Sequence, residues 1–88
     1  MSKNDNILFI NRDRILLKDI SDSLREKGYT VHTASDMRSA LSTLSVNSVG
    51  VIICDNTMQD VTGYDFLRFL KNDPLREKIP FIFLVPIN

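Results

Sequence analysis

Three short apolar runs and one alternating stretch punctuate the chain, and amphipathic segments fill the spaces between them. The first, "ILFI" (Ile7–Ile10), shows no polar alternation, the pattern of a strand covered on both faces. From Arg14 to Lys27 the residues Leu16, Leu17, Ile20 and Leu24 recur three and four apart, which predicts a helix with one apolar stripe. Asp13 stands at its N-cap position and Gly28 where a C-cap belongs. "YTVHTA" alternates and is rich in β-branched residues, so it reads as a second strand. Ser35 or Asp36 caps a second helix carrying Met37, Ala40, Leu41 and Leu44 on one face. Asn47 to Gly50 then turn the chain into "VIIC", the third strand. A third helix over Tyr64 to Lys71 turns Phe66, Leu67 and Leu70 inward; "NDPLREKIP" ends it, and "FIFLV" is the fourth strand.

Strands alternating with helices of this length imply an α/β fold with a parallel sheet and right-handed crossovers. Such sheets take ligands beyond the C-terminal ends of their strands, where the strand order reverses. The first and third strands end at Asn11 and Asp55. In a flavodoxin-like order those strands are neighbours, and "NRD" faces "DNT" across one crevice. A carboxylate at the tip of an apolar strand is costly to desolvate unless something pairs with it or uses it. Asp55 therefore marks the place where this topology does chemistry.

Charge and length narrow the function classes. Lys+Arg and Asp+Glu are equal at 11 each, so no general attraction to nucleic acid or to an anionic membrane is expected. No apolar run approaches the roughly 20 residues of a membrane helix, and "MSKNDN" lacks the apolar core of a signal peptide. One cysteine among 88 residues makes no internal disulfide, which suits a reducing cytoplasm. Cys54 reads as a small buried hydrophobe and His32 as a strand residue without partners. There is no Gly-rich phosphate loop, Ser/His/Asp set or zinc spacing. "NRDR" lacks the small and hydroxyl residues that cradle a flavin phosphate, and no self-standing enzyme is expected.

The ordered set of "ILFI", "REKGYTV", "TASDMRSAL", "VGVIICDNTMQDVTGYDFLRFLK" and "NDPLREKIPFIFLV" resembles the receiver domain of two-component response regulators. Its most specific elements are strand-terminal Asp55, Gly63 eight residues later, and "IPFIFLV". The resemblance implies a three-layer receiver fold and a phosphoryl switch with Asp55 as phosphoacceptor. It also implies a histidine kinase or phosphotransfer protein as partner. A family Mg²⁺ ion is implied as well, held by acidic residues after the first strand, by Asp55 and by the backbone carbonyl of Thr57. The acidic pair falls here on Asn11 and Arg12, with Asp13 one place later, where a helix cap is expected. The family's switch hydroxyl falls on Val85, which has no donor.

These departures suggest that Arg12 stands in for the metal by pairing with Asp55, a charge-assisted contact needing no ion. The resemblance and these departures together imply a receiver module with a degenerate metal pocket. Its alternative is a pseudo-receiver working through its surfaces without phosphorylation. The 88 residues are expected to form one domain of about four strands and three helices, without the family's last helix-strand-helix portion. That leaves strand four as an apolar edge: either the 88 residues are a fragment of a longer regulator, or they are a short form that associates with a second copy or a partner through Phe81, Phe83 and Val85.

Overall fold

The computed structural model describes residues 5–55 and 62–84. Its elements are β1 (Asn6–Ile10), α1 (Arg14–Glu26), β2 (Thr30–Ala34), α2 (Met37–Val46), β3 (Val51–Asp55), α3 (Gly63–Lys71) and β4 (Phe81–Leu84). All strand pairs are parallel and the sheet order is β2-β1-β3-β4, so the alternation read from the sequence becomes a flavodoxin-like α/β sheet. The strand order reverses at β1, between β2 and β3, and places the crevice where the sequence argument put it.

Period-two alternation sorts each strand between two cores. Leu8, Ile10, Ala34, Ile52 and Cys54 face α2 and α3, against Met37, Ala40, Leu44, Phe66 and Leu70. Ile7, Phe9 and Val31 face α1 through Leu17, with Ile20, Leu24, Val51, Ile53 and Leu84 half-buried around them. Leu8, Phe9, Ile10 and Ile52 are wholly buried, which is why β1 and β3 read as unbroken apolar runs. Truncating one such side chain to Ala costs about 2–5 kcal/mol, a large share of a small domain's stability.

The helix ends follow local chemistry. The Asp13 carboxylate accepts the backbone N–H groups of Ile15 and Leu16, at 3.0 and 3.1 Å, and starts α1. Gly28 adopts φ +98° and closes α1, with Tyr29 N–H donating to Leu24 C=O and Gly28 N–H to Arg25 C=O, the paired bonds of a Schellman motif. Of the two candidates for capping α2, Asp36 does so, accepting Ser39 N–H at 2.8 Å. Thr62 caps α3 through Asp65 N–H.

Two expectations on the helix stripes are corrected. Leu16 and Leu41 are exposed, because the buried stripes centre on Leu17–Ser21 and Ala40–Leu44 and leave both leucines on the margin. The segment after α3 is held by Arg76, whose guanidinium donates to Asp73 at 2.6 Å and to Leu44 C=O at 3.1 Å. That fork ties the entry to β4 onto the end of α2, residues far apart in the chain.

Candidate functional site at the C-terminal ends of β1 and β3

Ile10 pairs with Cys54 across β1 and β3, so the residues that follow, Asn11 just past β1 and Asp55 at the last position of β3, lie side by side. Cys54 is fully buried under α2 and α3, and the alternation of β3 turns half-buried Asp55 away from that core. Burial pushes the Cys54 thiol up to about 12, with the neighbouring Asp55 charge adding to the effect, so it stays protonated. Its Sγ donates to Asp55 C=O at 3.1 Å. Gly63, opening α3, packs against the same carbonyl: a Cβ built there lies 3.2 Å from Asp55 O and 2.6 Å from Cε1 of Phe83. Gly63 has no positive φ; what requires glycine is this close approach.

The β1 side of the crevice is committed to local structure. Asn11 is buried, its N–H donates to Ala34 C=O at 3.0 Å, and its Oδ1 accepts the Asp13 N–H at 2.9 Å. Asp13 in turn spends its Oδ1 on the two N–H groups of the α1 cap. Arg12, between them, is exposed and belongs to none of the ion pairs that the described residues form with one another. It lines an open cleft with Asp13, Arg14, Ser35 and Asp36. The expected Arg12–Asp55 pair is therefore not formed here. The physical reason is that Asn11 and Asp13 build a tight turn between them, while Arg12 projects from that turn into solvent. Thr57 and Val85, expected at the metal and switch positions, lie outside the described residues.

A Mg²⁺ ion asks for several hard oxygen ligands, with carboxylates prominent. Asp55 supplies one carboxylate, while Asn11 Oδ1 and Asp13 Oδ1 already accept backbone N–H groups. Among the described residues no three His, Cys, Asp or Glu side chains gather to hold a metal. The side chains described here do not fit a Mg²⁺ site.

On β4, Phe81 and Phe83 turn toward α3. Phe83 lies 4.7 Å from the Tyr64 ring centroid and 4.9 Å from that of Phe81, which is 6.2 Å from Phe66. Both rings expected to serve an interface thus have intramolecular partners, and the exposed apolar side chain of the edge is Ile82. Sequence reasoning missed that Gly63 and Phe83 interlock, since their contact joins elements twenty residues apart. It also missed Ser21, which is fully buried; its one signal was a hydroxyl residue within the stripe of Leu17, Ile20 and Leu24.

The model of the response regulator receiver domain matches residues 7–86. The response regulator SaeR of Staphylococcus aureus is 36% identical over 78 residues, an alignment covering 88% of this chain and 33% of that protein. This chain thus spans about a third of the length of the curated relatives it matches. Among solved structures, a chemotaxis response regulator of Vibrio cholerae superposes with a TM-score of 0.83 at 27% identity, covering 89% of this chain and 65% of that one. The signal receiver domain of a histidine kinase from Syntrophus aciditrophicus gives 0.86 at 29% identity, covering 94% and 63%. No helix among the described residues is long and apolar enough to cross a membrane.

Proposed function

This chain belongs to the response regulator receiver domain family of two-component signalling, and we propose that Asp55 is its phosphoacceptor, working in a pocket that does not grip Mg²⁺ as the family's acidic pair does. Receiver domains are signalling modules that meet histidine kinases or phosphotransfer proteins, and these are the partners proposed for it. The observation that carries the reading is the position of Asp55: a half-buried carboxylate at the end of β3, beside the end of β1, at the switch point of the sheet. In the proposed step a carboxylate oxygen attacks phosphorus as the bond from phosphorus to the donor's imidazole nitrogen breaks. A carboxylate is a weak nucleophile, so charge neutralisation limits the rate. Without an acidic pair to fix a metal, the expectation is slow transfer with a shallow dependence on Mg²⁺.

A second reading, a pseudo-receiver that signals through its surfaces, is favoured by the commitment of Asn11 and Asp13 to the α1 cap. Pairing of two copies along the β4 edge, with Ile82 between them, belongs to that reading. Incubation with acetyl phosphate, with and without Mg²⁺, followed by intact mass, separates the two. A phosphoryl-sized gain that disappears in Asp55→Ala supports the phosphoacceptor. No gain in protein shown to be folded overturns it in favour of the pseudo-receiver.

A further inference from the structure

Away from the end of β3, a second concavity lies between α1 and the outer edge of the sheet, a cleft of about 430 Å³. Three cations rim it: Arg14, Lys18 and Arg25, one turn or two apart on α1. Hydroxyls line the rest, from Thr33 and Ser35 at the end of β2, Ser39 on α2, and Ser21 on α1. No carboxylate among the described residues lines it. Ser21 is wholly buried, and its Oγ has no hydrogen-bond partner among the described residues. A buried hydroxyl left unpaired is costly, and such an atom in a native fold calls for an explanation. The neighbouring acids do not consume all the positive charge. Asp22 pairs with Lys18 at 2.7 Å and stands 3.7 Å from Arg25, whose other nitrogen donates to Val31 C=O. Asp36 is held by the N–H and hydroxyl of Ser39. Arg14 enters no ion pair with any described residue.

From this juxtaposition of a surplus guanidinium, two further cations and an orphaned buried hydroxyl, we propose that the α1–β2 cleft binds a small phosphate oxyanion, either free or as the end of a phosphate monoester. The planar guanidinium of Arg14 suits two phosphate oxygens at once. A third oxygen accepts the Ser21 hydroxyl after a small side-chain shift at the rim. The site is separate from Asp55, so it adds a ligand input to the module whether or not that aspartate is phosphorylated.

The test is a titration of the whole chain with inorganic phosphate and with adenosine monophosphate. It is followed by amide chemical shifts and thermal melts at ionic strength held constant with sodium chloride. Saturable shifts grouped on α1 and the β2–α2 junction are expected, weakened about tenfold by Arg14→Gln, as for a lost charge-assisted hydrogen bond. Ser21→Ala is expected to melt no lower than the parent without ligand, yet to lose the ligand-dependent rise. Tighter binding of the monoester identifies that as the source; equal binding identifies free phosphate. Shifts that never saturate, that centre instead on Asn11 and Asp55, or that survive Arg14→Gln unchanged overturn the proposal.

Discussion

Gly63→Ala places two opposing effects on one atom. In favour, alanine is a better helix former than glycine by at most about 1 kcal/mol, and less at the first position of a helix. Against, the new methyl lands 2.6 Å from Cε1 of Phe83 and 3.2 Å from both Cδ1 of that ring and the Asp55 carbonyl. Ordinary carbon contacts begin at about 3.5 Å, so the ring must retreat by roughly 1 Å. It is held by Tyr64 on one side and Phe81 on the other, with centroids at 4.7 and 4.9 Å, and is no loose chain end. Overpacking of this kind costs about 1–3 kcal/mol, so the clash wins and the net loss is on the order of 1 kcal/mol. For a domain of this size that lowers Tm by roughly 4–8 °C. Urea and thermal melts measure it directly. A cycle with Phe83→Leu isolates the cause: there Gly63→Ala is expected to be neutral or stabilising, a coupling of about 1–2 kcal/mol. A rise in Tm on Gly63→Ala alone, or the same loss in both backgrounds, refutes the steric account.

Asp13→Ala removes the acceptor for Ile15 and Leu16 N–H and is expected to cost about 1 kcal/mol, whereas Asp13→Ser keeps a capping oxygen and most of the stability. Equal losses in chemical denaturation would show that the charge matters, not the cap. The carboxyls of Asp73, Asp36 and Asp22 sit below their usual range because Arg76, the Ser39 N–H and Lys18 respectively donate to them. Each binds its proton less tightly folded than unfolded, so their stabilisation is complete above the ordinary value of 3.8 and fades as pH falls below it. Arg76→Gln should flatten part of that acid limb in Tm-against-pH curves, and an unaltered limb would exclude Asp73 as a contributor. Cys54, buried and with its thiol pushed up to about 12, is expected to resist disulfide reagents in native buffer and to react at the free-thiol rate in urea. Rapid labelling of folded protein would contradict that placement.

The sequence by itself determined the element order, the parallel sheet and the position of Asp55. These rest on features local in the chain: unbroken apolar runs for strands buried on both faces, stripes at helical spacing, and acids just before helix starts. It also marked Asp13 as a cap and Gly28 as a helix end, because such chemistry acts within a few residues. Only the tertiary structure decided what touches what across elements. Arg12 and Asp55 looked like natural partners on charge and order. Yet the turn formed by Asn11 and Asp13 sends Arg12 into solvent, and no pattern along the chain encodes that direction. Phe81 and Phe83 looked like edge surface until α3 crossed behind β4 and took them into an aromatic cluster with Tyr64 and Phe66. Gly63 carried a family signal, but its reason, the Phe83 ring in the space of its missing side chain, exists only once two distant elements pack. Ser21 shows the same limit: one hydroxyl within an apolar stripe acquires meaning when α1 and β2 close a cationic cleft around it. Local hydrogen bonding and periodicity are written residue by residue, whereas side-chain direction and long-range contact emerge from the packing of the whole.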